Sequence, residues 1–429
     1  MLTSAFRAYI AAEPLRAARQ RHKRYTYGDQ WSDIVDDPAT GPVPERRLIE
    51  RTGRRPQTNN LIRRLVKSIV GRYRTAARAD AYYSDDPASV DVRNSLPELD
   101  ARLLEEFIIS GCAIQRVVAE RRPGGSGVWV DNVSPDNFFV NRFTDPRGSD
   151  ITLIGMLHQM SWPEVVNRFG HGSRTRIAGL RRLFDAPDAR SALPSDEFLG
   201  MSLPADADTF FTSAPDRLRV IEVWNYEGRQ SSRRGKVAMD MVWTCRWYAP
   251  DGTLLDRYNS PFTHGSHPFT VCLYPLTDGE VHSFVEDVID QQRAINRLVV
   301  LLDTIMASSA KGALLFPMDQ LVPGYTLENI ASLWARPDAV IPIRKSGDLP
   351  QQVAATSGGA GAYQLLDLQM KLFDNISGVG DTLLGRNISP ATGANLYNAQ
   401  LREATTVITD LLETFRTFTA RRSAKAART

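Results

Sequence analysis

Apolar residues recur every three or four positions along several long stretches of the chain, and this period predicts amphipathic helices. Residues 2–24 form the first such stretch. The segment TNNLIRRLVKSIVGRYR repeats the pattern, with Thr58 or Asn59 as the expected helix cap. Its predicted buried face consists of Leu61, Leu65, Ile69 and Val70. A third helix is predicted near residues 95–110, with Leu103, Phe107 and Ile108 on its buried face.

From about Ala113 the period of apolar residues changes to two, which is typical of strands. The segment AIQRVVAERRPGGSGVWVDNV indicates two strands joined by a glycine-rich turn. Further strands are predicted in ITLIGMLHQMS, LRVIEVWNYEG, VAMDMVWTCRWYAPDGTLLDRYN and HPFTVCLYP. Trp224, Trp243 and Trp247 fall on these strands, and we expect them in the core rather than in a base-stacking surface. Helices and strands together predict an α+β fold.

The last third of the chain alternates long helices with short irregular segments. Residues 280–312 show the helical period over about 30 residues, and a helix of that length usually needs a packing partner. A strand, a short helix and a second strand follow in residues 313–360. Two more helices are predicted in residues 363–376 and 395–419, separated by the sequence GVGDTLLGRNISPATGA. Glycine and proline at that density end helices, and a loop of this length is often functional.

Composition limits the class of protein. The chain has 429 residues, 42% of them hydrophobic and 24% charged, as in ordinary globular proteins. It contains no apolar run long enough for a membrane span, and its N-terminus does not resemble a signal peptide. The first 80 residues carry 17 Lys and Arg against 8 Asp and Glu. Such a basic end suits contact with nucleic acid or an acidic protein, but it also suits a solvated arm.

Candidate catalytic and metal-binding residues are sparse. His264 and His267 in THGSHP have the spacing of metal ligands, but no third ligand lies near them in sequence. Glu286 and Asp290 lie one helical turn apart, which suits either a metal site or a solvated helix face. The glycines of SGGAGAY precede a helix without the Lys and Ser or Thr of a phosphate-binding loop. We therefore expect no metal, no cofactor and no catalytic residues, and the chain looks like a scaffold.

The order of these parts resembles the portal proteins of tailed double-stranded DNA bacteriophages. The resemblance rests on YGDQW with NNLIRRLVKSIVGRYR, on VSPDNFFVNRFTDPRGSD, on FVEDVIDQQRAINRLVVLLDTIMASSAKGALLF, and on LLGRNISPATGANLYNAQ. It covers about residues 25–420. It implies that the chain is a structural protein and that its copies form a ring, usually of twelve subunits, at one vertex of the capsid.

The resemblance also implies a division of the chain. Residues 1–279 would be an N-terminal arm and wing, 280–312 a stem helix, 313–360 the clip, and 361–379 a second stem helix. Residues 380–395 would be the tunnel loop that lines the DNA channel, and 396–429 a C-terminal wing helix with a short crown.

By the same resemblance, three groups of residues would be functional. The tunnel-loop group is Arg386, Asn387, Ser389, Thr392 and Asn395, the stem group is Gln292, Asn296 and Lys371, and the clip group is Arg336, Arg344 and Lys345. The expected partners are other copies of the chain, double-stranded DNA, the large terminase subunit, the capsid and scaffolding proteins, and a head–tail adaptor. The protein would be assembled in the host cytoplasm and reside in the virion, with roles in DNA packaging and ejection.

A loop of small polar residues suits a DNA channel physically. Double-stranded DNA carries one negative charge per ~1.7 Å, and every Lys or Arg contact adds salt-dependent affinity. In a ring, each such contact is repeated in every subunit, so the total affinity for DNA rises quickly. A loop with Arg386 as its one basic residue contacts phosphates weakly and lets them slide. The alternatives are an ordinary connector for this loop and, for the chain, a metal-dependent nucleic-acid enzyme using Glu286 and Asp290, or another ring of the head–tail connector.

Overall fold

The computed structural model describes residues 1–79, 90–122, 125–185, 207–233, 236–309, 313–334, 341–344, 349–353, 359–378 and 394–429. The helices of these residues are α1 Leu2–Ala11, α2 Glu13–Tyr27, α3 Glu45–Arg51, α4 Leu61–Ala79, α5 Val90–Asn94, α6 Leu96–Ser110, α7 Trp162–Phe169, α8 Arg174–Asp185, α9 Glu286–Ser309, α10 Leu327–Trp334, α11 Gly359–Ser377 and α12 Ala394–Ala426. The mixture of helices and sheets agrees with the predicted α+β class.

The strands are mostly short, apart from one long hairpin. They are β1 Ile34–Asp37, β2 Gly41–Pro44, β3 Cys112–Arg122, β4 Gly125–Asn132, β5 Phe138–Val140, β6 Leu153–Met160, β7 Leu218–Arg233, β8 Lys236–Tyr248, β9 Leu254–Asn259, β10 Phe269–Leu273, β11 Pro275–Thr277, β12 Glu280–Val281, β13 Ala313–Leu315 and β14 Gln351–Val353.

The chain divides into two compact units. Unit 1 comprises Met1–Gly28, Asn60–Ile289 and Ile376–Thr429, and unit 2 comprises Asp29–Asn59 and Asp290–Asn375. Unit 1 contains a five-stranded antiparallel sheet in the order β5-β6-β7-β8-β9 and a three-stranded antiparallel sheet in the order β10-β3-β4. Unit 2 contains the hairpin β1-β2 and the pair β13-β14, which joins residues almost forty positions apart.

Large aromatic side chains fill the core of unit 1. Trp224 and Trp247 are almost fully buried with Phe169, and Trp243 is 8% exposed, so the prediction that these tryptophans belong to the core is confirmed. Helix α1 closes a second cluster, in which Phe6 and Tyr9 pack against Phe210. The large buried side chains give unit 1 an extensive apolar core of its own.

The first predicted helix is two helices in the structure. Helix α1 ends at Ala11, and α2 begins at Glu13 with Pro14 in its first turn. Proline has no N–H for the helical hydrogen bond, and its ring clashes with the preceding turn, so a single helix over residues 2–24 is wrong. Proline is tolerated in the first turn of a helix, where no such bond is needed.

The cap of α4 also differs from the prediction. The Asn60 side chain accepts a hydrogen bond from the Arg63 backbone N–H at 2.9 Å, so Asn60 is the cap rather than Thr58 or Asn59. The buried face of α4 consists of Ile62, Leu65, Val66 and Ile69, whereas Leu61 and Val70, which were predicted on it, are only half-buried. In α6, the predicted buried face of Leu103, Phe107 and Ile108 is confirmed.

The long helix α9 begins later than the helical period suggested. Glu280 and Val281 form strand β12, paired with β11. The Ser283 hydroxyl then accepts from the Glu286 N–H at 3.1 Å, and the Glu286 carboxylate accepts from the Ser283 N–H at 3.3 Å. This reciprocal cap satisfies two donors at the helix start and fixes it at Glu286.

Candidate functional site

Two of the predicted stem residues lie inside unit 2 and hold its N-terminal segment. Gln292 and Asn296 lie one turn apart on α9 and are almost fully buried. Gln292 Nε2 donates to the Asn59 carbonyl at 2.7 Å, and the Asn59 N–H donates to Asn296 Oδ1 at 3.1 Å. Asn296 Nδ2 donates to Gln30 Oε1 at 2.6 Å. These bonds fix both ends of the segment 29–59 on one face of the helix.

An ion cluster reinforces this attachment. Glu45, which is 6% exposed, receives Arg297 Nε at 2.5 Å and a guanidinium N–H of Arg293 at 3.2 Å. Both arginines lie on α9, one turn apart, and together they neutralise a carboxylate that burial would otherwise destabilise. The face of α9 that carries Gln292, Arg293 and Asn296 is therefore occupied by the chain itself.

Three of the other predicted site residues lie in the described part of the chain. Lys371 lies on α11, exposed, with its Nζ 2.6 Å from the carboxylate of Asp367. Arg344 is exposed. Asn395 lies in the first turn of α12. The remaining predicted residues are outside the described part of the chain: Arg336, Lys345, Arg386, Asn387, Ser389 and Thr392.

Helix α11 has a buried face and an exposed apolar stripe. The buried face contains Phe373 and Ser377. The stripe, roughly a third of a turn away, has apolar residues at spacings of three and four. We call it the α11 stripe; Leu365, Leu368 and Ile376 are 44%, 50% and 42% exposed, and Leu372 is half-buried between them. A monomeric helix rarely leaves such a stripe open to water, and stripes of this kind are typical of interaction surfaces.

Exposed apolar side chains continue along the residues predicted to form the clip. Leu315, Met318 and Leu349 are each more than half exposed, and Leu327 is 47% exposed. In α10 only Ile330 is buried. This region therefore has little core of its own among its described residues.

The end of α12 is anchored firmly in unit 1. Arg422 and Asp100, both almost fully buried, lie 2.9 Å apart. Burial raises the pKa of Asp100, and Arg422 opposes that shift. Lys425 Nζ donates to the carbonyls of His267 and Phe269, and burial lowers its pKa to about 8. The C-terminal half of the helix after the glycine-rich loop is thus fixed to the sheet β10-β3-β4.

The histidine pair with metal-like spacing is tied into this anchor. Burial and the nearby charge of Lys425 hold the pKa of His267 well below its ordinary value and lower that of His264 to about 4. His267 Nδ1 accepts from the Phe269 N–H, and His264 Nδ1 accepts from the Ser266 N–H. Among the residues that the structure describes, no group of three or more His, Cys, Asp or Glu side chains could hold a metal ion.

Glu286 and Asp290, the paired carboxylates of the metal-dependent enzyme alternative, have different surroundings. Glu286 caps the start of α9 and lies 3.3 Å from His282 Nδ1, whereas Asp290 is exposed. Sequence reasoning missed the buried Gln30 and Glu45 and the backbone of Asn59, which together complete the polar joint of unit 2. The available signal was Gln292 and Asn296 at one-turn spacing on a face otherwise occupied by Val288, Ile295 and Leu302.

The described residues thus combine a firmly anchored end of α12, a polar joint in unit 2 and an open apolar stripe on α11. The model of the phage P22-like portal protein family matches residues 3–426. The chain therefore belongs to the P22-like phage portal protein family, which confirms the resemblance found in the sequence and gives it a structural role in the phage particle. No curated protein matches the chain. In the described residues, no helix is both long enough and apolar enough to cross a membrane.

Proposed function

We propose that twelve copies of this chain form a ring at one capsid vertex, through which double-stranded DNA enters during packaging and leaves during ejection. The observation that carries the ring is the α11 stripe, because Leu365, Leu368 and Ile376 need a covering partner along the whole helix. In a ring, the neighbouring subunit supplies that partner by a heterologous contact that closes by rotation. Family membership supports the same assembly.

In this proposal α9 and α11 are stem helices, and residues 313–360 form the clip. The clip docks the large terminase subunit during packaging and a head–tail adaptor afterwards, with Arg336, Arg344 and Lys345 as contact residues. The exposed apolar side chains of Leu315, Met318 and Leu349 support a docking role for this region. Capsid and scaffolding proteins surround the ring in the virion, after assembly in the host cytoplasm.

The proposed DNA contacts lie in the loop between α11 and α12 and, for Asn395, in the first turn of α12. Arg386, Asn387, Ser389, Thr392 and Asn395 face the DNA, and their few charges keep the DNA mobile. The anchor through Arg422 and Lys425 fixes the C-terminal end of the helix that follows this loop. Family membership also favours a portal over the enzyme and over other connector rings.

Native mass spectrometry combined with electron microscopy tests the ring. A species near twelve times the subunit mass of 47.8 kDa, with a central hole in top views, is the expected result. A protein that stays monomeric with and without scaffolding and capsid proteins would refute it. Deletion of residues 386–393 should leave the ring intact and impair DNA packaging or retention. Normal packaging by that deletion would refute the channel-loop assignment.

A further inference from the structure

The first 80 residues carry more basic than acidic side chains, and the structure shows which of these charges are used inside the chain. Arg19 is buried and donates to Glu106 at 2.6 Å and to Asp136 at 2.7 Å. Arg63 pairs with Glu105 on the adjacent helix α6. Helices α1, α2 and α4 are packed parts of unit 1, so the basic residues that they carry do not form a solvated arm.

The outer face of α4 carries basic residues that are not used in this way. Arg64, Lys67, Gly71 and Arg74 follow one another at spacings of three and four residues, on the side of the helix opposite the fully buried Ile62. We call these four residues the α4 basic face. Lys67, Gly71 and Arg74 are exposed, and Arg64 is half-buried. The helix contains no acidic residue along its whole length.

The nearest counter-charge is already shared. The Glu98 carboxylate on α6 accepts from Arg74 at 2.6 Å and from Arg102 at 2.8 Å. Among the residues that the structure describes, neither Arg64 nor Lys67 lies within salt-bridge distance of a carboxylate. The α4 basic face therefore keeps a positive charge that the described part of the chain does not neutralise.

Gly71 lies at the centre of this face, inside a helix of 19 residues. Glycine is among the least favourable residues in a helix interior. A Cβ added to Gly71 would meet no atom within 4 Å, so no crowding by the described residues accounts for the glycine. An exposed glycine lets the backbone of a partner approach the helix closely. Gly71 thus points to a partner that comes into contact with the helix between its basic side chains.

The chemistry of the face favours the backbone of a nucleic acid over a protein. The centre of a protein interface usually contains aromatic or other apolar anchors, and the α4 basic face contains none. Arginine and lysine aligned along one helix are typical of phosphate contacts. The face is about 15 Å long at 1.5 Å per residue, so several phosphates of a duplex lie within its reach. It contains no Asn or Gln to read bases, which favours contact independent of sequence.

We propose that the α4 basic face binds the phosphate backbone of double-stranded DNA without regard to sequence. Arg64 and Lys67 contact phosphates, and Gly71 brings the sugar–phosphate chain against the helix. The site is distinct from the loop between α11 and α12. It requires neither the ring nor that loop, because one copy of the chain carries the whole face.

Fluorescence anisotropy of a labelled duplex of random sequence tests this site on the full chain. For Arg64→Gln, Lys67→Gln we expect affinity at low salt to fall by about tenfold or more, and the slope of log affinity against log salt to fall by about 2. The matched control is Arg174→Gln, Arg182→Gln, which removes two exposed arginines of α8 and should bind like the wild type. Equal losses in the two double variants, or no binding by the wild type, would overturn the proposal.

Gly71→Leu tests the close approach without removing charge. Leucine favours a helix more than glycine does, so the thermal midpoint should not fall, whereas affinity for the duplex should fall several-fold. Gly179→Leu is the matched control, because Gly179 is also exposed on a helix with open space beside it. Wild-type affinity of Gly71→Leu would overturn the placement of DNA on this face.

A photoreactive amino acid gives a separate readout should a variant fold poorly. At position 67 it should cross-link to the duplex, whereas at position 182 it should not, and the reverse result would overturn the site. Polyglutamate should not displace the duplex at equal charge concentration; displacement would indicate an acidic protein as the partner and overturn DNA. If the chain forms the expected ring but its α4 variants bind the duplex normally, this inference alone fails.

Discussion

Units 1 and 2 use their apolar side chains in opposite ways. Unit 1 buries its largest ones, including Trp224, Trp247 and Phe415, around two sheets and the end of α12. Unit 2 is smaller, yet it contains most of the large hydrophobic side chains that the structure finds exposed, and its segment 29–59 is held chiefly by polar contacts. The difference teaches that unit 1 has an extensive apolar core of its own, whereas the described residues of unit 2 leave much of their apolar surface exposed to solvent.

The largest expected loss of stability comes from replacing Glu222, a fully buried carboxylate of unit 1. Glu222 is inaccessible to water, and its carboxylate accepts from Arg116 Nη2 at 3.4 Å and from Trp224 Nε1 at 2.7 Å, with His158 Nε2 2.8 Å away. Burial opposes its ionisation, but Arg116 and His158 outweigh burial and hold the pKa of Glu222 below its ordinary value. Glu222→Gln leaves the buried Arg116 without the counter-charge that it contacts directly, which should cost about 3–5 kcal/mol in the free energy of unfolding.

Urea denaturation of the monomer measures this loss. The control is Arg257→Gln, which breaks a largely exposed pair with Glu227 and should cost at most about 1 kcal/mol. Similar losses for the two variants would mean that the core of unit 1 does not depend on this cluster, and would weaken the contrast with unit 2.

A smaller effect is expected from the polar joint of unit 2. Asn296→Ala removes the acceptor of the Asn59 N–H and of Gln292 Nε2, and the donor to Gln30. Removing these hydrogen bonds from the buried Gln30 and Gln292 side chains should cost about 1–3 kcal/mol in the free energy of unfolding. Hydrogen exchange should show faster exchange in residues 29–59 and little change in the sheets of unit 1. Lys371→Ala on exposed α11 is the control, and equal protection of the segment in both variants would contradict the role of the joint.

The pattern of apolar residues predicted elements much better than it predicted their partners. The hairpins β3–β4 and β8–β9 and the helices α4, α6, α7 and α12 follow from local periods and turn residues. The pairing of β10 with β3 joins residues about 150 positions apart, and no local period encodes it. Gln292 and Asn296 were predicted on a stem helix from the family resemblance, but their burial depends on Gln30 and Asn59, which local patterns cannot reveal.

The predicted helix boundaries are wrong where a single side chain sets the start of the helix. Pro14 divides the first helix, Asn60 caps α4 and Ser283 caps α9. For the candidate site, periodicity indicated long helices on both sides of the glycine-rich loop, and both are present. The roles of Arg386, Asn387, Ser389 and Thr392 stay predictions, because these residues lie outside the described chain.

A pH-dependent effect should come from the anchor of α12 in unit 1. The pKa of Lys425 is about 8 in the folded chain, against an ordinary value of 10.5. Between these values the unfolded chain binds more protons, so the stability that Lys425 contributes rises with pH, by at most about 1.4 kcal/mol per pH unit. Below pH 8 both states are protonated and the slope vanishes. Denaturation from pH 7 to 10 should therefore show a shallower rise for Lys425→Met than for the wild type. Lys371→Met should keep the wild-type slope, and parallel curves for all three proteins would contradict the shift.

The smallest effect on folding is expected at the α11 stripe, where the contrast between the units is sharpest. Leu368 is 50% exposed, so Leu368→Gln should change the free energy of unfolding of the monomer by less than about 0.5 kcal/mol. Phe373→Ala on the buried face of the same helix is the matched control, and it should cost about 3–5 kcal/mol, because it leaves a cavity. If the stripe is an assembly surface, Leu368→Gln should nevertheless reduce ring formation in native mass spectrometry, whereas its monomer denatures like the wild type. A large loss of monomer stability would instead mean that unit 2 already covers the stripe itself, and intact rings would mean that neighbouring copies meet elsewhere.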